Sequence, residues 1–147
     1  MSPIHVKVVE NEYELKLAHR IRHCVFVQEQ KCKEENEIDE IDEKCTHFLL
    51  LKDQEEPIGT IRLVPVNDQV CLLGRMAIIK EERRKGYGKV LVKALESHAK
   101  SIGLKRIELH AQVTAQAFYH SLGYSILSHE IYVEEGMDHI SLYKNLE

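Results

Sequence analysis

The sequence predicts a single α/β domain of the α+β kind, a mixed sheet with helices packed on it. Three observations carry that expectation. The chain has 147 residues, within the ordinary size of one domain and short of two full-sized ones, so 1–147 reads as one unit. Several short stretches are continuously apolar or alternate with period two, as strands do. Between them lie two long stretches with apolar residues at helical spacing, and a third, shorter one.

Residues 4–9 alternate apolar and polar side chains, which predicts a first strand. Asn11 is placed to cap the helix that follows, with Glu14 three residues on in the position of a capping box. Leu15, Ala18, Ile21, Arg22, Val25 and Phe26 recur at helical spacing and carry this helix to about Glu29. The acidic stretch 34–43 reads as a loop or a ragged helical turn. Residues 48–51 form an apolar run of strand length, Glu55-Glu56-Pro57 a turn and 58–66 a second strand, which together predict a hairpin. Asn67-Asp68-Gln69 turns the chain into a strongly apolar strand, 70–79, with Gly74 and Arg75 inside it. Residues 86–102 form a helix whose stripe is Leu91, Ala94, Leu95, His98, Ala99 and Ile102, stopped by Gly103. Ile107, Leu109 and Ala111 alternate as a strand. Residues 114–122 make a short helix ended by Gly123, and 124–133 with 139–143 a last pair of strands. The expected order is β-α-β-β-β-α-β-α-β-β.

Composition narrows the function only a little. Hydrophobic content of 44% and charged content of 30% fit a globular chain rather than a disordered one. The formal net charge of −4 opposes general nucleic-acid binding, which needs an excess of cations. No apolar run approaches the roughly 18 residues of a membrane span. Residues 1–7 lack the apolar core of an export signal, so a cytoplasmic location without membrane or nucleic-acid partners is expected. The four cysteines, Cys24, Cys32, Cys45 and Cys71, include no C-x-x-C pair. They match neither a secreted disulfide framework nor a standard zinc spacing with His47, so no metal is expected.

The most informative segment joins the apolar strand at 70–79 to the helix at 86–102. Arg83, Arg84, Lys85 and Lys89 surround Gly86, Tyr87 and Gly88. A helix N-terminus presents free backbone N–H groups and the positive end of the dipole. Glycines let an anion approach that backbone, and together these features make a phosphate or pyrophosphate cradle. A nucleotide P-loop would need a Ser or Thr after Gly88-Lys89, where Val90 stands. A dinucleotide fingerprint would need glycine at position 91, which is Leu91. The plainer alternative is a solvated basic helix start with glycines used for the turn.

Arg83-Arg84-Lys85-Gly86-Tyr87-Gly88 resembles the Q/R-x-x-G-x-G/A pyrophosphate loop of the GNAT superfamily of acyl-CoA-dependent N-acetyltransferases. A second segment, Ala115-Gln116-Ala117-Phe118-Tyr119-His120-Ser121-Leu122-Gly123-Tyr124, resembles that superfamily's A-x-x-F-Y-x-x-x-G-Y ending. Arg22-His23-Cys24-Val25-Phe26-Val27-Gln28-Glu29-Gln30 is similar to the R-x-x-V-F-V-x-E-Q of its ElaA-like branch. So are Glu37-Ile38-Asp39-Glu40-Ile41-Asp42 and Glu135-Gly136-Met137-Asp138-His139. The resemblance spans nearly the whole chain.

It implies a mostly antiparallel mixed sheet in which one parallel strand pair splays apart to take acetyl-CoA, the co-substrate. Met76, Ala77 and Ile78 would then offer main-chain groups to the pantetheine arm, and Arg83, Arg84, Lys85, Gly86, Tyr87, Gly88 and Lys89 would hold the pyrophosphate. Gln112 would face the cofactor, and Phe118 and Tyr119 would line its sulfur end. Tyr119 would be the general acid for the leaving thiolate; packing or a bridging hydrogen bond is the alternative for both aromatic residues. The implied reaction is direct acetyl transfer to a primary amine of a small molecule, such as an amino sugar or a polyamine, and the resemblance leaves room for a homodimer. A CoA-binding sensor without turnover, or a protein lysine or N-terminal acetyltransferase, are the rival readings.

An ammonium must lose a proton before it attacks a thioester. Glu29, His110 and His139 are the candidates for that base, with a water chain as the alternative; His110 stands where the branch has an Asn. The acidic stretch 34–43 would attract a cationic amine or would be a solvated loop. Arg75, inside an apolar strand, would bind a substrate phosphate or carboxylate, or pair with an acidic neighbour.

Overall fold

A computed structural model describes residues 3–37 and 39–147; Ile38, within the acidic stretch, and the first two residues lie outside the described residues. Seven strands form one sheet: β1 (Ile4–Val8), β2 (Thr46–Lys52), β3 (Glu56–Pro65), β4 (Val70–Ile78), β5 (Arg106–Gln112), β6 (Ser125–Glu134) and β7 (Met137–Asn145). The spatial order is β1-β2-β3-β4-β5-β7-β6. The β4–β5 pair is parallel and the others are antiparallel. This is the mixed, mostly antiparallel α+β sheet that was expected.

Helices cover both faces. β2 reads as an unbroken apolar run because both its faces are buried. Phe48 and Leu50 join the core beneath α3 (Tyr87–Ser101), while Leu49 and Leu51 join Ala18, Ile21 and Val25 of the first helix on the opposite face. α1 (Glu12–Arg22) starts at Asn11, whose side chain accepts from the Glu14 N–H at 2.9 Å. Glu14 reaches back one residue further than in a capping box, to the Glu10 N–H at 2.8 Å. From His23 to Glu29 the helix widens into a π-helical segment, a change of pitch that apolar spacing does not reveal.

The acidic stretch is neither a solvated loop nor a ragged turn alone. It contains a short α2 (Glu34–Glu37) and a 3₁₀ turn (Asp42–Lys44), and both Glu37 and Asp42 are buried. In α3 the buried stripe is Leu91, Val92, Leu95, Glu96 and Ala99, rotated from the expected one; Ile102 caps the helix and is exposed. A last helix, α4 (Gln116–Ser121), follows a 3₁₀ turn after β5.

Candidate active site at the opening between β4 and β5

The parallel pair is zipped along part of its length only. The ladder runs from Val70 opposite Arg106 to Leu73 opposite Leu109, although β4 continues to Ile78 and β5 to Gln112. The cause lies in β4. Against β3, Arg62 faces Gly74 and Thr60 faces Ala77, so Arg75 and Met76 together oppose Ile61 alone. That is a β-bulge, and Arg75 has the positive φ of 48° that goes with it. A bulge bends its strand, and here it turns the end of β4 away from β5. Gly74 and Arg75, noted as oddities inside an apolar strand, are where the bulge forms.

The opening leads into a cleft of about 700 Å³. Gly74, Arg75 and Met76 line it from β4, and His110, Ala111 and Gln112 line it from β5. Tyr119 of α4 and His139 of β7 close one side, and Glu37, Asp39 and Arg62 form the opposite wall. Ala77 is buried against the first helix, and Ile78 pairs with Gly59. Gln112 donates to Gln30 at 3.4 Å, bridging the cleft to the segment after the π-helix.

The glycine turn lies beside this cleft. Gly86, with φ of 83°, is the N-cap of α3, and Arg84 also has a positive φ, of 64°. A Cβ on Gly88 would fall 3.2 Å from Cζ of Phe118 and 3.9 Å from Cε of Met76. Phe118 therefore packs directly beneath the turn, and the missing side chain of Gly88 makes room for its ring. Tyr87 is half-buried and Lys89 exposed.

The turn's cations divide into two kinds. Arg83 is tied to Ile78 O through Nε at 2.9 Å and forms a bidentate pair with Glu29, one arm of which measures 2.7 Å. Lys85 bonds the buried Glu82 at 2.8 Å. Among the described residues, Arg84 and Lys89 have no carboxylate partner and are exposed. The Arg83 guanidinium, by hydrogen bond and charge, holds the Glu29 carboxyl below its ordinary value.

Tyr119 is buried, with its ring edge-on to Phe118 and Tyr124 at centroid distances of 5.0 and 5.7 Å. Burial pushes its phenol up to about 12, so it carries a proton throughout the ordinary pH range. His110 is exposed, its Nδ1 hydrogen-bonded to the Tyr132 hydroxyl and 3.4 Å from that of Ser141. His139 is 9% exposed; its Nδ1 sits 2.8 Å from Met137 O, where it donates. That bond assigns the neutral ring a tautomer with a lone pair on Nε2. Cys71 lies at the zipped end of β4, fully buried, and burial pushes its thiol up to about 11.

Behind the wall formed by Glu37 and Asp39 lies an ion-pair network. Arg22, 0% exposed, bonds Glu37 and both oxygens of Asp42, the latter at 2.9 and 3.1 Å. Arg62 bonds Asp39 and Asp42, and Arg75 pairs with Asp39 and with the Glu37 main chain. Burial alone would raise the Asp42 carboxyl, but Arg22 and Arg62 outweigh it and hold it at about 2. The sequence offered Arg22 within an apolar stripe and three carboxylates nearby; Arg62, across the sheet, carried no signal linking it to them.

A sequence profile of the Acetyltransferase (GNAT) family matches residues 14–124, most of the chain and all of the cleft except its β6–β7 side. The chain belongs to the GNAT acetyltransferase family. This GNAT acetyltransferase is 37% identical to the uncharacterized protein YyaT of Bacillus subtilis, over 97% of each chain. Among solved structures it is similar to Escherichia coli ElaA, with a TM-score of 0.83, 26% identity and coverage of 97% of this chain and 99% of that one. An acyl-CoA N-acyltransferase from Pseudomonas aeruginosa gives the same TM-score and identity, covering 98% and 99%. The GNAT fold, the α+β class and the likeness to ElaA agree with the expectation from sequence. Among the described residues, no helix is long and apolar enough to cross a membrane.

Proposed function

We propose that this GNAT enzyme moves the acetyl group of acetyl-CoA directly to a primary amine of a small molecule. The observation that carries this reading is the unzipped end of the β4–β5 pair, opening onto the cleft beside the glycine turn. The residues present suit the co-substrate. The exposed Arg84 and Lys89 and the main chain of 84–89 offer cations and N–H groups to a pyrophosphate at the N-terminus of α3. Arg83 and Lys85 lie in the same turn, shared with Glu29 and Glu82. Strand β4 at Met76, Ala77 and Ile78 has no partner on its β5 side, and its main-chain groups suit an amide-bearing arm. Gln112 lines the cleft, and Phe118 packs beneath the glycine turn at Gly88.

Acetyl-CoA supplies an activated acyl carbon. As the amine nitrogen bonds to that carbon and the carbon–sulfur bond breaks, the protein handles three charges. A main-chain N–H near Ala77 or Ile78 stabilises the negative charge gathering on the carbonyl oxygen. Tyr119 gives its phenol proton to the departing sulfur. Its high pKa does not defeat this, because the same apolar surroundings raise the proton affinity of the sulfur. The third charge is the ammonium proton. Glu29, held low by Arg83, is a weak base, which leaves the imidazoles of His110 and His139, both lining the cleft. The Met137 O bond fixes the lone pair of a neutral His139 on Nε2, whereas the hydroxyls on Nδ1 of His110 allow either tautomer, and this favours His139. Direct transfer is preferred to a covalent route because burial raises both Cys71 and the cleft cysteine, Cys32, away from the reactive thiolate.

Mass spectrometry of the enzyme incubated with acetyl-CoA and pooled amines tests the proposal. N-acetylated products that appear with time and with enzyme concentration are expected. Binding of acetyl-CoA with no product from any amine overturns it.

A further inference from the structure

Resting on the acetyl-transfer reading, we propose that the acceptor is a diamine or polyamine without an anionic group, and that Glu37 receives its second, non-reacting ammonium. Three observations converge on this class.

Glu37 lines the cleft and is 5% exposed. Its Oε1 is bonded to Arg22 and lies 4.0 Å from Nε of Arg75, but Oε2 is buried without any hydrogen-bond partner among the described residues. A buried carboxylate oxygen normally finds a donor; this one has almost no accessible surface of its own, so the Glu37 side chain shifts toward the cleft to meet a donor that arrives with the ligand. An ammonium carries three such donors.

The arginines of the wall are already engaged. Arg62 is held by Asp39 and Asp42, and Arg75 by Asp39 and the Glu37 main chain. A substrate phosphate or carboxylate would have to displace these carboxylates, so Arg75 pairs with its acidic neighbours rather than awaiting an anion.

The charge of the lining has one sign in excess. Glu37, Asp39, Glu134 and Glu135 line the cleft together with Arg62 and Arg75. That is four carboxylates against two guanidiniums, and adding Arg22 and Asp42 from behind the wall leaves the difference unchanged. Closely set charges of one sign in a low-dielectric cleft attract cations and repel anions. An ω-amino acid or an amino-sugar phosphate brings the wrong second charge; a second ammonium brings the right one.

The test is steady-state acetylation at saturating acetyl-CoA with three matched acceptors: 1,4-diaminobutane, butylamine and 4-aminobutyrate. We expect kcat/KM for the diamine to exceed that for butylamine by about tenfold or more, with the amino acid below both. The diamine's KM should also rise with salt more than butylamine's does. In Glu37→Gln, the ratio of diamine to butylamine should fall toward one. Should that variant not fold, the salt dependence and the ranking of the three acceptors in the unaltered enzyme still decide. Equal use of diamine and butylamine, or preference for the amino acid, overturns this proposal and leaves acetyl transfer standing. No transfer to any of the three, while the pooled amines still give N-acetylated products, overturns this proposal alone; no product from the pool either overturns both.

Discussion

Arg83 donates through Nη2 to Glu29 Oε1 at 2.7 Å and through Nε to Ile78 O at 2.9 Å, so one side chain ties the glycine turn to the end of the π-helix and to the end of β4. A carboxylate at the end of the π-helix thus holds a cation of the glycine turn. Replacing Glu29 by Gln removes the charge that competes for Arg83. Acetyl-CoA affinity in Glu29→Gln should stay the same or tighten by a few-fold, and the acidic limb of the pH–rate profile should persist. Calorimetric titration and a pH series check the two halves. Loss of that limb would return Glu29 to the role of base.

The glycine turn itself is tested by Gly88→Val. The new side chain would drive into the Phe118 ring, where a Cβ alone already falls at 3.2 Å, and would push the turn's backbone out of place. Acetyl-CoA affinity should fall by about tenfold or more in a variant that keeps its fold. Arg84→Ala with Lys89→Ala should weaken binding in a salt-dependent way, because both side chains are exposed.

Tyr119→Phe removes a hydroxyl and leaves the ring packed between Phe118 and Tyr124. Turnover should fall about a hundredfold, in the range of a lost general acid, while acetyl-CoA affinity changes by less than about threefold. Stopped-flow or quench measurements of the chemical step check this. Near-normal chemistry would leave Tyr119 a packing residue.

His139→Asn and His110→Asn separate the two imidazoles. The first should abolish the acidic limb of the pH–rate profile, where a protonated base stops the reaction. The second should retain it. The reverse result would exchange the two roles, and two intact limbs would leave proton removal to water.

The buried network makes stability depend on pH. Asp42 is held at about 2, against an ordinary value of 3.8. A depressed carboxyl stabilises the fold above its unfolded value and loses that contribution as pH falls through the folded one. Asp42 therefore contributes about 2 kcal/mol above pH 4, lost as pH falls toward 2. His19 and His47, both lowered from 6.5 chiefly by burial, act in the same direction at higher pH: their contribution is present above 6.5 and declines below it. Urea denaturation between pH 2 and 8 should show both declines. Asp42→Asn should flatten the lower one and cost about 3–5 kcal/mol at neutral pH, since it leaves Arg22 and Arg62 short of a partner.

The sequence was most legible where local rules act alone. Asn11 caps α1, Gly86 starts α3, and the β2–β3 hairpin stands close to its expected bounds, since each follows from residues a few positions apart. It was least legible where distant segments exchange charge. The acidic stretch looked solvated because its partners, Arg22 and Arg62, lie on α1 and β3, and nothing local announces that a carboxylate will be buried. The shift from α- to π-helix at His23 and the rotated stripe of α3 are likewise settled by packing against the sheet. In the site, the residues within motifs were visible and those assembled by folding were not. Glu37 appeared as one acidic residue among several, and the Tyr132 hydroxyl on His110 had no sequence signal.

The bulge at Arg75 and Met76 divides β4 into two lengths with different protection from solvent. From Val70 to Leu73 the strand is bonded on both sides, to β3 and to β5, so its inner amides exchange their hydrogens only when the sheet comes apart. Beyond the bulge one edge of the same strand borders the cleft, and the protein carries there an unfinished stretch of sheet. Whatever lies along that edge completes the sheet from outside. A ligand that does so stabilises the folded chain in proportion to its concentration over its dissociation constant, and the slowing of exchange it causes should be confined to the β4 segment after Gly74, with Val70 to Leu73 already protected without it.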